Sequence, residues 1–249
     1  MSALDDPLRL SLAERLKLAL PTSLHLRNIA RRELRKGEPE LHLLPFLADR
    51  RRLALDVGAN KGVYSHLLRR YCTAVHAFEP HPKMLRFLRR NVGSWATVHG
   101  AALSDKAGRA ELRIPRWKNG YSNQGASLST VKVSAGYYSL TVETVRLDDL
   151  GLGPVGFMKI DVEGFEQAVL DGAAQTIARD RPVLLIEIEE KHTKRPIEDS
   201  IASVNALGYR CLALQRGVLS AWTSLDPDAN HRRPADPADY IFNFIFLPA

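Results

Sequence analysis

Cysteine is scarce. The two present, Cys72 and Cys211, have no partner at the spacing of a metal or redox motif. That excludes a zinc module and a dithiol redox centre; each lies beside apolar residues, as a buried thiol would. No apolar run is long enough to span a bilayer and no signal peptide stands out, so the expected location is the reducing cytoplasm. Lys and Arg are nowhere interleaved with aromatics as in a base-stacking surface, which argues against a nucleic-acid partner. No internal repeat occurs, and the Gly-x-Gly-x-x-Gly of a dinucleotide turn is absent. What is there is ordinary for a globular protein. The 249 residues, 45% apolar and 25% charged, suffice for one α/β domain with additions and a full core. The formal charge of +7 fits a generic basic surface; an acidic polymer or a membrane would also be attracted to it.

The chain is organised around Leu53-Ala54-Leu55-Asp56-Val57-Gly58-Ala59-Asn60-Lys61-Gly62-Val63-Tyr64-Ser65. A short apolar run, suited to a strand buried on both faces, breaks into Gly58 and Gly62 and resumes as a helical pattern through Tyr64, Leu67 and Leu68. A second strand, Ala74 to Phe78, ends in Glu79-Pro80. An acid about 20 residues after the first glycine is where an open parallel sheet puts a carboxylate on a ribose diol. The glycine spacing is Gly-x-x-x-Gly, and Asp56 stands just ahead of it. A carboxylate aimed at a pyrophosphate would repel it, whereas an amino group or a sulfonium would be attracted. The expected ligand is therefore S-adenosylmethionine rather than a nicotinamide dinucleotide.

Residues 1–50 read as a basic helical extension and 51–249 as the main domain. Ser11 with Glu14 resembles a capping box opening a first helix, and Pro21 should end it. A second helix is expected from Leu24 to Lys36, ended by Gly37, and a short third from Glu40 to Ala48. Arg27, Arg31, Arg32, Arg35 and Lys36 could meet a membrane surface or a partner, or mediate a homo-oligomer. A solvated face on a packed helix explains them equally.

Further on, Pro82 opens a helix that ends near Asn91, and Val98 to Leu103 reads as a third strand. Its end, at Ala102 to Asp105 with Ser104 at the turn, is a candidate adenine wall. Ala110–Ile114 and Leu140–Arg146 look like antiparallel additions flanking a polar loop, Trp117 to Ser134, which suits an acceptor-side loop, with a disordered spacer as the competing reading. Phe157 to Glu166 is again a buried strand ending in acids and a glycine, then a helix through Ile177. Asp161 and Glu163 could act as base, ligand anchor or metal ligand, or cap the helix. Strand Val183–Ile188 runs into Glu189, Glu190, Lys191 and His192; His192 is the natural proton acceptor near neutral pH. A helix from Ile197 to Leu207, a strand from Tyr209 to Leu214, a loop from Asp226 to Asp239 and a final strand from Ile241 to Leu247 complete the chain. The count is about seven strands, mostly parallel, with helices on both faces and a last strand free to run antiparallel.

These motifs resemble the FkbM-type methyltransferases, within the Rossmann-like, seven-stranded enzymes that use S-adenosylmethionine. The resemblance rests on Asp56 to Ser65, Phe78-Glu79-Pro80-His81-Pro82 and Lys159-Ile160-Asp161-Val162-Glu163-Gly164-Phe165-Glu166. Val169 to Ala173 and Asn243 to Pro248 also match, and Asn123-Gln124-Gly125-Ala126-Ser127-Leu128 follows the family's middle motif with some drift. It spans residues 53–248 and leaves out the first 50. It implies methylation of an oxygen on a small molecule, often a sugar or polyketide, without fixing the acceptor.

The expected site follows. Glu79, with Pro80 beside it, takes the ribose; Asp56 takes the methionine amino group; Gly58 and Gly62 leave room for the donor; Asn60 and Tyr64 bond its polar end. His192, Asp161 or Glu163 takes the acceptor proton. No metal is expected, although a divalent ion held by the acids is an alternative. Competing readings are a nicotinamide-dependent oxidoreductase and a basic nucleic-acid- or membrane-associated protein that keeps a nucleotide pocket.

Overall fold

The computed structural model describes residues 6–19, 22–117, 120–122, 125–130 and 136–249. In chain order the elements begin with α1 (Leu12–Ala19), α2 (Thr22–Lys36), a 3-10 turn at Pro39–Leu43, α3 (Leu44–Leu47), β1 (Leu53–Val57), α4 (Val63–Leu68), β2 (Val75–Phe78) and α5 (Pro82–Val92). Next come β3 (Thr97–His99), β4 (Ala102–Leu103), β5 (Gly108–Trp117), β6 (Gly120–Tyr121), β7 (Tyr137–Val145) and β8 (Val155–Ile160). The chain closes with α6 (Glu166–Asp171), α7 (Ala174–Asp180), β9 (Val183–Glu187), α8 (Glu190–Thr193), α9 (Ile197–Asn205), β10 (Tyr209–Gln215), β11 (Val218–Ala221) and β12 (Asn243–Pro248).

The main sheet has eight described strands in the order β11-β10-β12-β9-β8-β1-β2-β3. From β9 to β3 they are parallel. β12 runs antiparallel between β9 and β10, as expected of the last strand. The expected count of seven falls one short because β11 returns from β10 as a hairpin. The expected third strand is split at Gly100: β3 stays in the main sheet, and β4 joins a second sheet, β4-β7-β5-β6, that contains both antiparallel additions.

Strand alternation builds two cores. Leu55, Val57, Met158, Ile160, Leu184 and Ile186 face α6, α7 and α9 through Val169, Ile177, Ile201 and Val204. Ala54, Phe157, Leu185 and Ile245 face the other way, onto Leu41, Leu44, Leu47, Tyr64 and Leu68. Residues 41–47 thus belong to the sheet's own core, and the packing crosses the expected boundary at residue 50. Glu14 and Ser11 form the anticipated capping box, each backbone N–H bonding the other's side chain at 3.2 and 2.8 Å. Helix α2 buries Leu26 and Ala30 and leaves Arg27, Arg31, Arg32, Arg35 and Lys36 exposed, the pattern of a solvated face on a packed helix. The stop expected at Pro21, and Asn123-Gln124 of the middle motif, lie outside the described residues.

Candidate active site

The chain leaves β1 one way, through β2 and β3, and returns through β8 and β9 on the opposite side. A crevice therefore opens beyond the carboxyl ends of β1, β2 and β8, at the switch point of the sheet. It holds a pocket of about 630 Å³, counting the space open to solvent.

The glycine turn is shaped first by the protein. Gly58 has φ +81°, and a Cβ there would lie 1.8 Å from the carbonyl oxygen of Asp161. The exit of β8 passes so close that only glycine fits. Gly62, at φ +85°, opens α4, and a Cβ there would press within 2.9 Å of Leu88 and Val92 on α5. Gly58 lines the cavity and Gly62 does not: the second glycine serves helix packing rather than room for a donor.

Glu79 is the central polar group. It is buried, and each carboxylate oxygen accepts one backbone N–H at 2.8 Å, from Asn60 and from His81. Asn60 adopts the left-handed region, φ 49°, to aim that N–H. Burial pushes the Glu79 carboxyl up to about 7, against the pull of its two backbone hydrogen bonds. A carboxylate has about four acceptor positions, so two remain for a diol. Pro80 and the apolar side chains of Phe78, Leu103 and Leu112 form the wall beside it.

Asp56 is placed differently from the expectation. Its Oδ2 accepts from the Ser65 backbone N–H at 2.8 Å and from the Ser65 hydroxyl at 2.5 Å, and it is not part of the cavity wall. The cause is strand parity. Asp56 shares its face with Ala54, under α4, so it satisfies one open N–H of that helix's first turn, that of Ser65. Tyr64 is likewise turned away: its hydroxyl donates to Glu38 Oε2 at 2.5 Å. Ser104 sits one residue past the wall, which Ala102 and Leu103 form, and its hydroxyl donates to Asp105 at 3.0 Å.

On the opposite flank Asp161 and Glu163 both line the cavity. Glu163 takes φ +60° and Gly164 φ +96°, a turn that packs directly on the backbone of His192. His192 Nδ1 lies 3.0 Å from Glu163 Oε2 and 3.7 Å from Glu189 Oε1. His192 itself is not on the wall; it stands behind Glu163. Glu189 is buried and bonded in turn by Tyr240 and Lys191. Across the cavity mouth, Ala126, Ser127 and Leu128 of the polar loop form part of the wall, and the Ser127 hydroxyl donates to the Glu163 carbonyl at 2.7 Å.

Residues that sequence patterning singled out only loosely complete the site. Asp161, Glu163 and Glu187 each bring a carboxylate oxygen within 4.8 Å of the other two. Burial raises the carboxyls of Asp161 and Glu187, with Lys159 opposing the effect on both. Acid clusters of this kind form without an ion, and no second feature of the site assigns one. Beneath them Lys159 is fully buried, a cation with one counter-charge from its own strand exit, Asp161, and one from the distant Glu38.

A doubly wound sheet with a carboxylate-lined crevice at its switch point defines a Rossmann-like α/β protein. Residues 56–211 match the family model described as "Methyltransferase FkbM domain", and the chain belongs to that family of methyltransferases. It is similar to the 31-O-demethyl-FK506 methyltransferase FkbM of Streptomyces tacrolimicus, 29% identical over 197 residues, covering 66% of this chain and 74% of the relative. Its fold is also similar to that of a solved methyltransferase FkbM from Methylobacillus flagellatus KT. There the TM-score is 0.50 and the identity 18%, over 93% of this chain and 56% of that one. The chain thus spans little more than half the length of that solved protein. Among the described residues no helix is long and apolar enough to cross a membrane.

Proposed function

We propose that the chain transfers the methyl group of S-adenosylmethionine to a hydroxyl oxygen of a small molecule. The observation that carries this is Glu79, held by two backbone N–H groups with acceptor positions to spare, on the wall of a cavity whose other flank is Asp161 and Glu163. The residues fit the donor: a diol acceptor, an apolar wall for a flat ring, and a carboxylate for an ammonium group. With Asp56 engaged by Ser65, Asp161 takes that last role. Gly58 and Asn60 lie between the two acids.

The donor supplies a methyl group already activated by positive sulfur, so the protein contributes alignment and a base. An acceptor hydroxyl must lose its proton as the new C–O bond forms. Glu163 lines the cavity and receives that proton. His192 fixes the Glu163 carboxylate through the 3.0 Å contact and is a positioning residue rather than the base. Ser127 holds the same turn from the loop side. The relative's printed name, 31-O-demethyl-FK506 methyltransferase, supports oxygen as the accepting atom. The nicotinamide alternative is set aside by the family match.

The test is incubation with methyl-labelled donor and a panel of polyhydroxylated small molecules and sugars, followed by mass spectrometry of labelled products. Label on oxygen is expected. Label confined to nitrogen or carbon would overturn the assignment.

A further inference from the structure

Below the cavity floor, on the face of the sheet that Tyr64 covers, strand parity brings Asp56, Lys159, Glu187 and Asn243 together. Lys159, 1% exposed, donates to Asn243 Oδ1 at 3.0 Å and lies under the Tyr64 ring, 5.2 Å from its centre. Two carboxylates flank it at nearly equal distance: Asp161 Oδ2 at 4.0 Å, on the cavity side, and Glu38 Oε2 at 3.9 Å, on the far side. Glu38 comes from the N-terminal segment, outside the family-matched residues 56–211. It is pinned there by the Tyr64 hydroxyl at 2.5 Å and Asn243 Nδ2 at 2.9 Å. A buried lysine shared between two carboxylates neutralises each only in part. If Glu38 were uncharged, Lys159 would be offset mainly by Asp161, and the cavity would become less negative. Lys159 is buried and Glu38 28% exposed at its side chain, so solvent screens the difference only in part.

We propose that Glu38 sets the negative charge Asp161 presents to the cavity, and thereby the preference of the site for a sulfonium donor over its uncharged thioether product. The inference rests on the donor reading above. S-adenosylmethionine and S-adenosylhomocysteine differ by one methyl group and the charge on sulfur. A change in packing, or in the hold on the ammonium group that both carry, weakens both ligands alike; a change in the potential felt at the sulfur alters their ratio. Glu38 is therefore a specificity-determining residue that touches neither ligand.

The experiment is calorimetric titration of both compounds into wild type, E38Q and K159M, with folding checked by circular dichroism. In E38Q, glutamine keeps an acceptor oxygen for Tyr64 and Asn243 while the charge is lost. The expected result is that E38Q lowers affinity for S-adenosylmethionine relative to S-adenosylhomocysteine by about threefold to tenfold. K159M should shift the ratio the opposite way; if K159M does not fold, E38Q alone decides. An unchanged ratio in E38Q, whether both affinities fall together or neither does, overturns the proposal. If wild type binds neither compound, the donor reading fails first and takes this inference with it. That outcome is distinct from wild-type binding with an unchanged E38Q ratio.

Discussion

The two flanks of the crevice are built in different ways. The β1–β2 flank is made mostly of backbone: a glycine turn, an asparagine in the left-handed region, and one carboxylate gripped by two N–H groups. The β8–β9 flank is made of side chains: Asp161, Glu163, Glu187 and Glu189 crowd together, with Lys159 beneath and His192 behind. Backbone donors are fixed by the fold and suit a ligand that is always the same. Side chains can be exchanged while the path of the backbone is kept.

That contrast can be broken or sharpened by substitution. The largest effect is expected on the first flank. Gly58→Ala would force a Cβ to within 1.8 Å of the Asp161 carbonyl at φ +81°. It should cost at least about 3 kcal/mol in chemical denaturation and abolish donor binding. Next, Glu163→Gln should lower turnover about a hundredfold while donor affinity by calorimetry is kept, because it removes only the proton acceptor. His192→Ala should lower turnover about tenfold, since Glu163 remains but is no longer held; full activity would remove His192 from the site. Chelation with EDTA should leave turnover unchanged, as expected if Glu163 rather than metal-bound chemistry handles the proton.

Stability should also change with pH. Burial pushes Glu40, Glu79 and Glu166 from 4.5 up to about 7. Between those values the unfolded chain has lost protons that these groups retain in the fold, so their contribution to stability falls as pH rises from about 4.5 to about 7, while His81, lowered by burial to about 4, contributes in the opposite sense. The slope is on the order of 1 kcal/mol per pH unit for each group. Thermal melts across that range check it; a melting temperature that rises through the window would contradict these assignments.

Legibility in the sequence followed the range of the contacts. The strands of the main sheet announced themselves by local apolar runs, and Glu79 by its spacing from Gly58. Asp161 and Glu163 were visible as acids at a strand exit. The strand-end position of Asp56 suggests the crevice, but parity decides where it points: two residues after Ala54, it lies under α4 and bonds Ser65. The buried charge of Lys159 has no local signal, because two of its partners, Glu38 and Asn243, are remote in sequence. Asn243 and Glu38, which bond each other beside it, are 205 residues apart. Nothing local marks Pro39–Leu43 as part of the core, since its apolar side chains are matched only by the far face of β1, β8, β9 and β12.

The most direct test of the account is calorimetric titration of S-adenosylmethionine into the wild-type protein and Glu79→Ala. Saturable binding to the wild type is predicted. The variant should lose about a hundredfold in affinity, as expected for two hydrogen bonds to a charged acceptor, while its circular dichroism spectrum stays that of the wild type. Equal affinities in the two proteins would contradict the claim that this crevice holds the donor by its ribose.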